Sequence, residues 1–203
     1  MFRGNDYLMR LPLNCTVDYF ADFLGEEEAA ELYRVLIEQY HLDKARLVIE
    51  AGGKIHHTDS FKILFSTSEL IEQNTHPEHI HGKCHVWSGI MATLRDKVEH
   101  LTDKQFEIAM CLYYPDGNYF SAYHFDQQTS GDQTILPSIS LGEVREFVFR
   151  ENSSGDVYSI DLGNGSLLVM GAHCQSRYEH SLPKDPQYKN GRINITFREP
   201  AFK

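Results

Sequence analysis

His124-Phe125-Asp126 sets an imidazole two residues from a carboxylate. On a strand, positions i and i+2 point to the same face, so the two groups would stand side by side with Cα atoms about 6–7 Å apart. That is a bite for one metal ion. Two ligands still need a third. His180 lies far downstream, at the end of an expected strand, within Gln175-Ser176-Arg177-Tyr178-Glu179-His180-Ser181-Leu182-Pro183. Two histidines and one carboxylate make the facial triad of non-haem Fe(II) sites, with positions left open for a bidentate 2-oxo acid and O2. A surface His-Asp pair is the commoner source of such a triplet, and both readings stay open on the triplet alone.

A second pattern narrows the choice. Arg192-Ile193-Asn194-Ile195-Thr196-Phe197-Arg198 alternates strictly. Ile193, Ile195 and Phe197 share an apolar face that belongs in a core. Arg192, Asn194, Thr196 and Arg198 share the other and present a row of donors. A dicarboxylate such as 2-oxoglutarate needs such a row, because arginine binds carboxylates through two parallel hydrogen bonds. The alternative is an edge strand with its arginines in water. His180 shortly upstream favours the binding reading.

These residues need a scaffold, and the pattern predicts one. Over Asp18 to Tyr40, an extended entry leads to a helix with Glu26, Glu27 and Glu28 in its first turn and an apolar stripe of Ala29, Leu32, Val35, Leu36 and Ile37. Arg46 to Ile63 holds two short strands around a Gly52-Gly53 turn. Trp87 to Leu101 carries Trp87, Ile90, Met91, Leu94, Val98 and Leu101 on one helical face. From Phe106 onward short β-rich runs alternate with turns: 106–114, 135–141, 145–150, 157–162, 166–170 and 192–198. The expected fold is α+β, a double-stranded β-helix (jelly roll) core with N-terminal helices packed on one face. The expected organisation is a single domain over 1–203, with a helical elaboration at 1–105 and the jelly roll at 106–203.

Other features bound the function. The 203 residues include 19 basic and 29 acidic side chains, a net charge of −10, with no basic stripe. That argues against coating a long nucleic-acid stretch, but not against a local site for one nucleotide. No apolar run approaches 18 residues, so no transmembrane helix is expected, and the first ten residues do not read as a signal peptide. Cys15, Cys84, Cys111 and Cys174 are scattered and read as free thiols of a reducing cytoplasm, or of a nucleus in a eukaryote. His76, His79, His81, Cys84 and His85 cluster in sequence; they fit a solvated loop better than a zinc site, because no standard finger spacing follows.

The motifs together resemble the AlkB-like family of Fe(II)- and 2-oxoglutarate-dependent dioxygenases. The matching blocks are Tyr114-Pro115-Asp116-Gly117 with His124 and Asp126; Pro137 to Gly142 with Arg145 to Arg150; Gly165 to Gly171 with Gln175, Tyr178 and His180; and Arg192 to Arg198, which fits the family's RxNxTxR signature. The resemblance covers roughly Glu107 to Arg198. It implies Fe(II), 2-oxoglutarate and O2 as cofactors, with His124, Asp126 and His180 as iron ligands. Arg192 and Arg198 would hold the 2-oxoglutarate carboxylates, helped by Tyr114 and Asn194, and Arg198 would also brace Asp126. Leu112 stands where nucleic-acid-repair members commonly have asparagine, and Gln128 where a base-reading acid is frequent. His56-His57-Thr58-Asp59-Ser60-Phe61 stands in place of a base-capping block.

The resemblance implies oxidative demethylation of N-alkylated nucleobases in DNA or RNA, with Gln128, Arg145 and Tyr178 toward the substrate and Arg145, Arg150 and Arg177 toward phosphates. The same chemistry on a protein side chain or small metabolite is the alternative, and a non-catalytic metal-binding module a third. The expected partners are 2-oxoglutarate and alkylated nucleic acid, the latter without support from the charge, with no membrane, and the expected state is a monomer.

Overall fold

The structure, a computed structural model, describes residues 8–51 and 54–199. In chain order its elements are β1 (Leu8–Arg10), β2 (Val17–Phe20), α1 (Glu26–Glu38), β3 (Arg46–Ala51), β4 (Lys54–Ser66), α2 (Ser68–Glu72), α3 (Glu78–His81), β5 (Lys83–Val86), α4 (Gly89–Thr102) and β6 (Ile108–Tyr114). Then follow β7 (Ser121–His124), β8 (Leu136–Gly142), β9 (Arg145–Glu151), β10 (Val157–Leu162), β11 (Ser166–Met170), α5 (Cys174–Arg177), β12 (Tyr178–Leu182) and β13 (Arg192–Arg198). The expected Gly52-Gly53 turn lies outside the described residues. None of the described helices is long and apolar enough to cross a membrane.

The strands form two sheets. The larger runs β1-β2-β11-β8-β13-β6-β4-β3, with β5 paired parallel to β4. The smaller runs β10-β9-β12-β7. Leu136, Leu168 and Met170 of the larger sheet share a buried cluster with Phe149 and Tyr178 of the smaller, so the two sheets pack face to face. The other face of the larger sheet is covered by helices. Ala29, Leu32 and Leu36 of α1 and Met91, Leu94 and Val98 of α4 pack with Ile63, Phe65, Ile139, Ile193, Ile195 and Phe197.

The expected jelly roll with helices on one face is therefore present, but its partition in sequence is different. Residues before 106 supply five of the nine strands of the larger sheet, β1 to β5, as well as the helices. The first half is built into the sheet rather than added beside it. Its 13-residue strand β4 pairs with β6 through Phe61–Ser66. The histidine-rich segment is not a solvated loop either. It folds as α3 and β5, where His85 packs edge-on to Tyr40.

Strand β13 shows why position matters more than pattern. Its alternation is as read from the sequence, yet both faces are buried: Ile193, Ile195 and Phe197 at 0% exposure, and Arg192 and Thr196 at 2% and 4%. The apolar face meets the helices and the donor face meets the smaller sheet. Gly142 closes the neighbouring turn at φ +85°, where a Cβ would lie 2.3 Å from the Gly191 carbonyl oxygen and 2.8 Å from the ring of Tyr33 on α1. Only glycine suits both that backbone and that approach.

Phe197 lies between Trp87, at a centroid distance of 6.4 Å, and Phe106, at 5.8 Å. Full burial of such a ring predicts a loss of about 3–5 kcal/mol on Phe197→Ala. Urea unfolding followed by circular dichroism measures it; a loss below about 1 kcal/mol would mean that the helices are not anchored on β13.

Candidate metal centre and cofactor pocket

Strands β7 and β12 pair antiparallel with His124 opposite His180, and the ladder then shifts register before Leu182. That pairing brings the two rings to a centroid distance of 4.4 Å. Asp126 completes the group: the ligand atoms of His124, Asp126 and His180 all lie within 4.8 Å of one another. Among the described residues this is the only such group of three. The histidine-rich segment 76–85 forms none.

Asp126 arrives by a route the strand argument does not give. β7 ends at His124, so Asp126 is not presented by strand alternation. Its backbone N–H instead donates to the side-chain Oε1 of Gln175, at 2.8 Å. Gln175 is buried on the short helix α5, just ahead of β12. One buried amide thus fixes the turn that carries the carboxylate. Gln175 appears in the sequence motif, but its role is a contact across 49 residues, which no local signal encodes.

The ligand atoms are held in suitable states. Nδ1 of His124 lies 2.8 Å from the Ala122 carbonyl, which can only accept, so Nδ1 carries the proton and Nε2 keeps its lone pair. Burial pushes His180 down to about 4 against the pull of Asp126, so its imidazole is neutral at pH 7. Phe147 stacks on it at 5.4 Å and 28°. Burial alone would raise the Asp126 carboxyl, but the Arg198 charge and the two histidines outweigh it and hold it below the usual range. With His180 neutral, Arg198 is the standing charge, donating from Nη2 to Asp126 Oδ1 at 2.5 Å. Two imidazoles and one carboxylate are a donor set that suits Fe(II).

Beside the triad is a cavity lined by Met110, Leu112, Tyr114, Phe147, Arg192, Asn194 and Thr196. Arg192 is its cation, with Asp126 in the same lining. Its Nη2 donates to Ser140 Oγ at 2.9 Å and to Asn194 Oδ1 at 3.4 Å, and its Nε is buried without a partner. No described carboxylate pairs with it. Burial lowers its pKa to about 10, so it stays cationic at neutral pH. Asn194 is itself oriented by Ser138 at 2.8 Å and by Thr196 at 2.7 Å. Leu112 lies opposite Asn194 in the ladder, so its apolar side chain removes a donor from this very wall. A buried cation with an unsatisfied N–H, opening on a cavity, fits an anionic ligand such as a 2-oxo dicarboxylate.

The proposed substrate contacts fare differently. Arg145 is 1% exposed, and its guanidinium binds three carbonyls: Asp116 at 3.3 Å, Tyr119 at 3.0 Å and Pro183 at 2.7 Å. It ties the loop before β7 to the residue after β12, so it positions the strands of His124 and His180 and cannot reach substrate. Tyr178 is 4% exposed in the core between the sheets, and its hydroxyl accepts from the backbone N–H of Asn14. It packs and caps, with no access to substrate. Gln128 is half-buried and outside the cavity lining. Arg150 pairs with Glu179 and covers the ring of Tyr123, while Arg177 donates to the Asn14 carbonyl.

Comparison with known proteins agrees with this geometry. A family model described as the 2OG-Fe(II) oxygenase superfamily matches residues 16–198. Over 122 residues the chain is 30% identical to the alpha-ketoglutarate-dependent dioxygenase alkB homolog 3 of Mus musculus, covering 55% of this chain and 43% of that protein. It is 26% identical to the DNA oxidative demethylase ALKBH2 of Bos taurus, covering 92% of this chain and 69% of the relative. The chain thus spans less than half the length of the first of these relatives. Among solved structures, that titled "The structure of OsALKBH1" superposes with a TM-score of 0.61 at 13% identity, over 93% of this chain and 100% of that one, a likeness of fold.

Two outcomes follow from the site. Gln175→Ala frees the turn at Asp126 and is expected to weaken Fe(II) binding about 10- to 100-fold, as loss of a group that orients a ligand does; titration with Fe(II) under anaerobic conditions reads it, and an unchanged affinity would remove Gln175 from that role. A histidine that binds its proton less readily when folded makes the unfolded state the better proton binder below pH 6.5. The metal-free protein therefore loses about 3 kcal/mol as pH falls from about 6.5 to 4. His180→Leu should flatten that part of the urea stability profile, and an unchanged slope would contradict the burial argument.

Proposed function

The chain belongs to the 2OG-Fe(II) oxygenase superfamily, and from that premise we propose that it is an AlkB-like demethylase of N-alkylated nucleobases in DNA or RNA. The observation that carries the cofactor half of the reading is Arg192, a buried cation without a carboxylate beside the three clustered ligands. His124, Asp126 and His180 would hold Fe(II). Arg192 would take a 2-oxoglutarate carboxylate, with Tyr114 and Asn194 on the same wall. Arg198 steadies Asp126 through Nη2, and the rest of its guanidinium, which has no other partner among the described residues, would serve the second carboxylate.

When bound, the iron with 2-oxoglutarate and O2 supplies the oxidation that hydroxylates a C–H bond, with succinate and CO2 as by-products. An N-hydroxymethyl group formed in this way releases formaldehyde. The chain's own part is placement. Met110, Leu112, Phe147 and Met170 keep the cavity apolar and exclude water from it.

The substrate half rests on a second cavity that shares Leu112, Tyr114 and Ser121 with the first. Its other walls are Asp59, Ser60, Phe61, Tyr113, Tyr119 and Phe120. Phe61 lies 6.0 Å from Tyr113 and 5.9 Å from Tyr119, and Phe120 is 53% exposed. An aromatic wall with one carboxylate suits a planar, polar-edged base taken out of its stack. Asp59, Ser60 and Phe61 belong to the run from His56 to Phe61 that stands in place of a base-capping block. The relatives named as a DNA oxidative demethylase support the same class.

The test is succinate and formaldehyde release with Fe(II), 2-oxoglutarate and a panel of N-methylated oligonucleotides. We expect both products to rise with a methylated strand and to vanish in His180→Ala. Succinate that ignores every oligonucleotide would overturn the nucleobase reading and point to a protein or metabolite substrate. Arg192→Ala should raise the 2-oxoglutarate Kd about 10- to 100-fold, the worth of a charged hydrogen-bonded pair; an unchanged Kd would remove Arg192 from the cofactor site.

A further inference from the structure

An open groove of about 720 Å³ lies away from the triad, at the edge of the larger sheet. Arg46 of β3 stands opposite Phe61 of β4, and Lys83 of β5 opposite Ile63. Lys62 falls in the gap between these two pairings, its backbone N–H donating to the Ala45 carbonyl. The groove opens there. Lys44, Arg46, Lys62 and Lys83 line it, with His41 and His79, against one acidic residue, Glu78.

In a chain of net charge −10 that is a local reversal of sign. The charges are also available. Lys44, Lys62 and Lys83 make no ion pair among the described residues. Arg46 approaches Asp59 only to 3.7 Å, with both side chains exposed, a contact worth little.

Lys62 lines the groove and lies two strands from Asn194 of the triad cavity, on the sheet face opposite to that of Arg46 and Lys83. It stands opposite Leu112, Leu112 opposite Asn194, and Asn194 opposite Ser140. The four form one row on the same sheet face. Strands lie about 4.8 Å apart, so the Lys62 and Asn194 backbones are about 10 Å apart. Leu112 and Asn194 line the triad cavity. Burial, and then the charge of Arg198, lower the Lys62 ammonium.

We propose that this groove holds the sugar-phosphate backbone of a nucleic-acid strand, with Lys44, Arg46, Lys62 and Lys83 as its phosphate contacts, while a base of that strand occupies the neighbouring cavity. The inference rests on the nucleobase reading above and assigns it a surface. It also replaces the contacts expected from sequence. Arg145 is spent on carbonyls, Arg150 on Glu179 and Arg177 on Asn14. A cation row beside an aromatic cavity matches a polymer that alternates charge with planar rings better than it matches an acidic polypeptide.

The test uses the full iron-free chain and unmodified 15-residue oligo-dT and oligo-U, read by fluorescence anisotropy between 50 and 200 mM salt. Lys44 and Lys83 are exposed, so Lys44→Gln/Lys83→Gln leaves the fold intact. We expect about tenfold weaker binding in either arm. The slope of log K against log salt should become shallower by about 1.4, from two lost phosphate contacts at about 0.7 each. Lys44→Glu/Lys83→Glu should bind weaker still. Wild-type affinity and slope in the double variants would overturn the proposal, as would equal displacement of the oligonucleotide by poly-glutamate. Methyl removal that persists with unaltered binding would reject the groove and keep the nucleobase reading. Groove-dependent binding without methyl removal would do the reverse.

Discussion

A guanidinium removed from water and given no carboxylate is the constraint around which this fold is arranged. Arg192 opens β13 at 2% exposure, with one serine hydroxyl and one asparagine oxygen as its partners and its Nε unsatisfied. Such a group costs several kcal/mol to bury, and the cost is tolerated only where surrounding structure leaves the side chain no way out. Here the exit is closed on both sides. The helices hold the strand through Ile193, Ile195 and Phe197, and the smaller sheet covers the donor face. Burial lowers the pKa to about 10 and still leaves the charge in place. The result is a cation whose missing partner is an anion that can enter the cavity, which is what a carboxylate co-substrate supplies.

Arg145 makes the useful contrast. It is as deeply buried, yet two of its nitrogens are committed to backbone carbonyls and its face to the ring of Tyr188. Its Nε is unpartnered too, but unlike Arg192 it does not line the cavity at the triad, so its work is mechanical. By holding Asp116 and Tyr119 on one side and Pro183 on the other, it fixes the spacing of β7 and β12. That spacing sets His124 against His180. Two buried arginines, one in each sheet of the jelly roll, thus divide the tasks, one positioning the metal ligands and the other facing the cofactor cavity.

The alternation of Arg192 to Arg198 was legible because a period of two survives any tertiary context, and the two helices were legible for the same reason at a period near four. His124, Asp126 and His180 were legible as types. Their geometry was not: β7 stops at His124, and Asp126 is placed by Gln175 from a helix 49 residues away. The failures share one cause. Arg145 and Tyr178 looked like substrate contacts because polar side chains on strands are usually exposed. Whether such a residue faces water or the partner sheet depends on which strands pair, and pairing is a long-range property. The same holds for the first half of the chain, where β4 joins β6 and carries 54–66 into the main sheet. Nothing local to those residues announces that neighbour.

Net charge is a weaker guide than local potential. A sum of −10 over the chain weighs every carboxylate alike, including pairs such as Arg34 with Glu31 and Glu38 that cancel within one helix face. A binding partner feels the potential at one place, set by unpaired charges within about a Debye length, roughly 8–10 Å at ordinary salt. At the edge of the larger sheet those charges are cationic, and the gap between β3 and β5 is what gathers them. The excess of carboxylates elsewhere in the chain would repel a long nucleic acid from wrapping around the protein. It leaves one short positive track leading to the cavity. For the reaction proposed above, on single alkylated bases, that distribution would serve better than a uniformly basic surface.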